Sequence, residues 1–246
     1  MYNEHDMEMD AETLRSFSRM VYGHEIWIDD VKHEDGEITA LGLYGHKLVP
    51  DKPMPTDYAN VVLYNDDGRA PTPYREIVNE PHGWKFSFED DGADVYTLYV
   101  DSNSVWVTND EGWHRGMKRD YNSVTYSGAF NMVAKHIISR DGVNPGSVMH
   151  SPLEIMPAKA ALKVGETADL RILYEGNPLA KHKVLMFCDS MDDIVNLMTD
   201  ENGVIRVPIT NKGTYSFIAK YTDESKSIGD EFDETVFSIT LTMESE

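Results

Sequence analysis

Short apolar segments alternate with turn sequences along most of the chain, at intervals of roughly 8 to 12 residues. The turns are rich in Asp, Asn and Gly, as in NDDG at 65–68 and DENG at 200–203. Between them lie segments such as 84–88, which alternates apolar and polar residues as a strand with one buried face does, and 95–100, which is mostly apolar. This spacing leaves little room for helices and predicts an all-β protein built from β-sandwiches.

A cluster of Gly, Asn, Pro and Ser at residues 142–151 predicts a boundary between two domains. Residues 22–147 would form an N-terminal β domain and residues 148–246 a C-terminal sandwich. About seven predicted strands in the second unit fit an immunoglobulin-like or transthyretin-like fold. Residues 1–21 are acidic and rich in methionine, and we expect a short extension that is either flexible or helical. Periodicity does not decide whether residues 129–138 form a strand or a short helix.

The tripeptide Tyr-Gly-His stands at both ends of residues 22–46, and the sequence between the two copies predicts a β-hairpin. A three-residue loop at 34–36 would place His24 opposite His46 on one face, with Cβ atoms about 4.5 to 5.5 Å apart. A two-residue loop at 35–36 would place the two side chains on opposite faces, because side chains alternate along a strand. The register of this hairpin therefore decides whether the two histidines converge.

Converging imidazoles suit nickel, cobalt, zinc or copper, but a transition-metal site needs three or more N, O or S donors. We expect His114 as the third ligand, because a glycine-flanked loop beside Trp113 leaves it free to reach a strand end. His82, in a similar Pro-His-Gly-Trp sequence, is the alternative. The sequence thus predicts a metal site of His24, His46 and His114, and the competing interpretation is that Tyr-Gly-His marks ordinary strand corners.

Composition narrows the classes of partner. Lys and Arg number 22 against 43 Asp and Glu, so the formal charge of −21 disfavours nucleic acid and anionic membranes, whose phosphates would be repelled. The single cysteine, Cys188, excludes an intramolecular disulfide and a thiolate zinc site. No apolar run reaches the roughly 18 residues of a membrane span, and the N-terminus lacks the apolar segment of a signal peptide.

Enzymatic motifs are not found. The sequence contains no GxSxG elbow, no phosphate-binding loop, no GxGxxG and no HExxH. We therefore expect a binding protein and not an enzyme.

A series of short motifs in the C-terminal part carries a family resemblance. In order, these are LEIMP at 153–157, VGE at 164–166, YEGNPL at 174–179, TDENG at 199–203 and GTY at 213–215. Their order and spacing resemble the C-terminal module of an extracytoplasmic family of unknown-function proteins often associated with nickel and cobalt uptake systems. In the N-terminal half, HEIW at 24–27 and GH at 45–46 resemble the family's early histidine before an aromatic strand and its Gly-His pair.

The resemblance covers about residues 23–243 and implies binding of a divalent transition metal, nickel or cobalt and less favourably zinc. It implies uptake or delivery to a membrane metal transporter, and a periplasmic or extracytoplasmic location, although no secretion signal is visible. Family members carry the histidine just after a cleaved leader, whereas here 23 residues precede His24, so we do not expect a free amino terminus at the site. The alternative is a structural or adhesive surface protein whose sandwiches bind a protein or carbohydrate partner.

Overall fold

The computed structural model describes residues 24–46, 48–51, 59–79, 82–149, 151–191 and 193–245. The predicted extension at 1–21 lies outside these residues. Within them the regular secondary structure is β-strand apart from one 3-10 turn at Lys118–Asp120, so the predicted all-β class is confirmed. The strands are β1 (Glu25–Glu34), β2 (Glu37–His46), β3 (Val49–Pro50), β4 (Ala59–Asn65), β5 (Gly68–Arg69), β6 (Tyr74–Asn79), β7 (His82–Glu89), β8 (Val95–Asn109), β9 (Gly112–Arg115), β10 (Tyr126–Ser139), β11 (Leu153–Pro157), β12 (Thr167–Tyr174), β13 (Asn177–Pro178), β14 (Lys183–Cys188), β15 (Val195–Met198), β16 (Val204–Pro208), β17 (Gly213–Asp223) and β18 (Glu234–Ser245).

The strands form three sheets. A nine-stranded central sheet has the order β15-β14-β17-β18-β10-β8-β4-β5, with β9 paired to β8. The first flanking sheet has the order β1-β2-β7-β6 with β3 on β2, and the second has β11-β12-β13 with β16 on β12. Strand β10 settles the ambiguity at 129–138 in favour of a strand.

The two faces of the central sheet build two separate hydrophobic cores. On β10, Met132 and Ala134 pack in the core with the first flanking sheet, whereas Val133 and Ile137 pack in the core with the second. Alternate residues of a strand point to opposite faces, so the flanking sheets cover opposite sides of the central one. Each flanking sheet and its part of the central sheet form one β-sandwich.

The central sheet crosses the predicted boundary between residues 147 and 148. Strand β10, from the N-terminal half, pairs in parallel with β18, from the C-terminal half, over residues 128–136 and 234–242. The units predicted at 22–147 and 148–246 therefore share one sheet and are joined by more than a linker.

The hairpin of β1 and β2 turns through two residues, Asp35 and Gly36. Both have positive φ, 52° and 78°, as a type I′ turn requires. Next to the turn, Glu34 pairs with Glu37. The hairpin therefore has the two-residue loop at 35–36 and not the three-residue loop at 34–36, because the Asp-Gly pair adopts the shorter turn that matches the twist of the strands.

A β-bulge then changes the register of this hairpin. Lys32 pairs with Thr39, but the next pair is Asp29 with Leu41, so two residues of β1 oppose one of β2. Asp30, inside the bulge, has a φ of 48°. Beyond the bulge the pairing continues to the end of the strand. The extra residue moves every earlier side chain of β1 to the other face, so the short turn does not separate the histidines as predicted.

Candidate metal centre

His24 and His46 meet at the end of the first flanking sheet. The bulge puts His24 on the face of β1 that carries Ile26, and Ile26 pairs with Tyr44, which lies on the same face of β2 as His46. The ring centroids of His24 and His46 lie 3.8 Å apart. The ring of His24 also stacks on Tyr44 at 4.5 Å, with an angle of 6° between the planes. The structure therefore brings together two of the three predicted ligands.

A carboxylate, Asp51, completes the cluster. Its Oδ2 lies 2.5 Å from His46 Nδ1, and its Oδ1 lies 3.4 Å from His24 Nε2. One nitrogen of each histidine and one oxygen of Asp51 all lie within 4.8 Å of one another. Among the residues that the structure describes, this is the only group of three or more His, Cys, Asp or Glu side chains with that geometry.

A tight reversal of the chain after His46 positions Asp51. Strand β3 folds back on β2, so that Val49 pairs with His46 and Pro50 with Gly45. A Cβ atom on Gly45 would lie 2.0 Å from the backbone oxygen of Val49, so this approach requires glycine. The local structure thus explains the Gly-His pair. The glycine allows β3 to pack closely against β2, and this places Asp51 next to His46.

The donor set fits a late first-row divalent ion. Metal–nitrogen and metal–oxygen bonds of about 2.0 to 2.2 Å place tetrahedral ligand atoms about 3.3 Å apart, close to the separation of His24 Nε2 from Asp51 Oδ1. The shorter contact of Asp51 with His46 has to widen, and the half-exposed carboxylate can rotate to allow it. Two imidazoles and one carboxylate form a recurrent metal-binding set that leaves coordination positions open.

The structure places His114, the third predicted ligand, away from this cluster. His114 lies on β9, which pairs with β8 in the central sheet, whereas the cluster lies on the first flanking sheet. Its Nε2 is 3.1 Å from Asn109 Oδ1, and its ring stacks on Tyr121 at a centroid distance of 5.0 Å. The short hairpin of β8 and β9 holds His114, so it is not a mobile loop residue. His82, the alternative, begins β7.

Sequence reasoning missed Asp51. The region after residue 49 reads as a proline-containing loop, and a loop offers no register from which contacts can be derived. The available signal was Gly45 before His46 with Pro50 close behind, a combination that favours a tight turn and returns the next side chain toward the histidine.

The fold and the cluster define a β-sandwich protein with a candidate ion-binding centre at one end of a sheet. The chain belongs to the family described as "Domain of unknown function (DUF4198)", which matches residues 21–223 and so includes His24, His46 and Asp51. An unknown-function family was expected, and the association with nickel and cobalt uptake stays a prediction. No curated protein matches the sequence significantly.

Solved structures with some likeness to the chain include segments of two multidomain proteins. One is a two-domain fibronectin type III segment of chicken tenascin, with 12% identity, coverage of 88% of this chain and 98% of that one, and a TM-score of 0.23. Another is a segment of titin, with 8% identity, coverage of 91% and 98%, and a TM-score of 0.20. Scores this low carry no weight, and the fold assignment rests on the strands themselves. Within the described ranges, no helix has the length and apolar character to cross a membrane.

Proposed function

We propose that this protein binds a divalent transition metal ion through His24, His46 and Asp51. The observation that supports the proposal is the meeting of three ligand atoms within 4.8 Å, from the residue before β1, the last residue of β2 and the residue after β3. Neutral imidazole and carboxylate are both good donors for nickel, cobalt and zinc. The formal charge of −21 also favours cations around the molecule.

The metal is proposed as cargo and not as a structural ion. The side chains of His24, His46 and Asp51 are 20%, 39% and 37% exposed, so a receiving site has access to the bound ion. Structural metal sites usually have four protein ligands, whereas three leave a position at which another ligand can enter. Nickel or cobalt is the favoured ion because of the family resemblance. Delivery to a membrane metal transporter is the corresponding role.

Isothermal titration calorimetry with nickel, cobalt and zinc tests the proposal, on protein without an affinity tag. Wild-type protein is expected to bind one ion with micromolar or tighter affinity. Replacing His24 and His46 together with Ala, or Asp51 with Asn, is expected to weaken binding by tenfold or more.

His33→Ala is the matched control. Its Nε2 lies 2.7 Å from Asp90 Oδ2, so this variant also removes a histidine beside an aspartate, but at the other end of the hairpin. Binding should be unchanged in it. Affinity no tighter than millimolar for all three ions, or equal affinity in the His24/His46 double variant, would contradict the proposal. The alternative role as a surface protein with a protein or carbohydrate partner would then be preferred.

A further inference from the structure

We propose that β14 and β17, two strands of the C-terminal half, hold the metal centre in its binding geometry. Two contacts carry this inference: a buried ion pair at the residue that follows His24, and an apolar contact at the turn between His46 and Asp51. The inference rests on the proposed function and adds positioning residues that donate no atom to the ion.

The ion pair joins Glu25 to Lys220. Lys220 Nζ donates a hydrogen bond of 2.8 Å to Glu25 Oε1, and the two side chains are only 5% and 7% exposed. Separating such a pair leaves an uncompensated charge in a low-dielectric interior, so Glu25 is strongly held where it is. His24 is its neighbour in the chain and precedes the first strand pair of β1. The ion pair therefore fixes the position of the backbone next to His24, the first of the three proposed ligands.

The apolar contact anchors the other two donors. Leu48, half-buried with a φ of 57°, stands between His46 and Asp51 and packs against Leu185 and Ile218. Leu185 of β14 and Ile218 of β17 are themselves a paired position in the central sheet. The turn that places Asp51 against His46 is thus seated on these two strands.

Both anchors lie on one face of β17. Ile218 and Lys220 are alternate residues, whereas Phe217 and Ala219, on the opposite face, belong to the core with the second flanking sheet. One strand of the C-terminal half, β17, therefore supports both the segment that carries His24 and the turn that carries His46 and Asp51. Groups that orient metal ligands without touching the ion usually change affinity by 10- to 100-fold when removed.

Cobalt affinity of the full chain tests this inference, with Lys220→Met and Ile218→Ala as test variants. The matched control is Lys135→Met. Lys135 Nζ lies 2.6 Å from Glu154 Oε1, and these side chains are 1% and 4% exposed, so the control breaks an equally buried pair that joins β10 to β11. Circular dichroism and urea unfolding compare how much stability each variant loses.

The expected result is a Kd for cobalt raised roughly tenfold in both test variants and changed by less than about twofold in Lys135→Met. Unchanged affinity in both test variants overturns the inference, and so does an equal loss in Lys135→Met, which would indicate a general effect of reduced stability. If Lys220→Met does not fold, Ile218→Ala and Leu185→Ala decide by the same criteria. Failure of the wild-type protein to bind metal overturns the proposed function itself, so the two failures are distinguishable.

Discussion

Asp30 determines on which face of β1 His24 lies. Asp30 adopts a φ of 48° within a bulge in which two residues of β1 oppose one of β2. The extra residue reverses the facing of every side chain before it. His24 therefore lies on the side of His46, and the candidate metal centre depends on a distortion in the middle of the same strand.

The first prediction concerns the backbone of this bulge. Asp30→Val should lower the free energy of unfolding by about 1 to 2 kcal/mol relative to Asp30→Gly, because positive φ strains a β-branched residue and suits glycine. Both changes remove the exposed contact of Asp30 with Lys32, so their difference isolates the backbone. Urea unfolding followed by tryptophan fluorescence measures it. Equal stability of the two variants would show that positive φ at residue 30 is not required.

The turn after His46 gives the second prediction. Gly45→Ala should lower the free energy of unfolding by about 1 to 3 kcal/mol and weaken cobalt binding, because the added methyl group meets the Val49 backbone oxygen at 2.0 Å. The change pushes β3 away from β2 and takes Asp51 with it. Gly229→Ala is the control, since its Cβ meets no atom within 4 Å. The account of the turn fails if the two alanine variants have the same cobalt affinity.

The hairpin and its surroundings show how far the sequence predicts the structure. Turn signals and alternation predict the strands well, since both are local properties of the chain. The Asp-Gly turn is also local, but the bulge at Asp30 is not, because it is favoured by the burial of Ile26 and Ile28 in the first core. The sequence alone therefore does not decide whether His24 and His46 converge.

Other parts of the site depend on contacts between distant segments. Asp51 reaches His46 only because β3 pairs with β2, and Lys220 reaches Glu25 only because β17 joins the central sheet. The glycines on either side of His114 predict a free loop residue, yet His114 lies within β9 and pairs with Val107 of β8. Sequence spacing predicts the local turns, whereas the pairing of distant strands determines which turns lie close together.

The third prediction is a loss of stability in mild acid. His136 is buried and shares a hydrogen bond of 2.8 Å with the Thr242 hydroxyl, and burial lowers its pKa from 6.5 to about 4. The unfolded chain therefore binds a proton at His136 more tightly than the folded protein does. The contribution of neutral His136 to the free energy of unfolding is complete above pH 6.5 and is lost as the pH falls toward 4. Between pH 7.5 and 5 it amounts to about 2 kcal/mol.

Urea unfolding of wild-type protein and His136→Gln at several pH values measures that contribution. The stability of the wild type should fall more steeply between pH 7.5 and 5, while other acid-sensitive groups such as His182 affect both proteins alike. Parallel curves would show that His136 is not held neutral by burial.

The most direct test of the central claim is X-ray absorption spectroscopy of the cobalt-loaded protein. The proposed site predicts scattering from two imidazoles together with oxygen ligands, falling to one imidazole in His46→Ala. His114→Ala should leave the spectrum unchanged, because His114 lies on β9 beside Asn109. Imidazole scattering that is absent from the wild type, that persists in full in His46→Ala, or that is lost in His114→Ala would contradict the site of His24, His46 and Asp51.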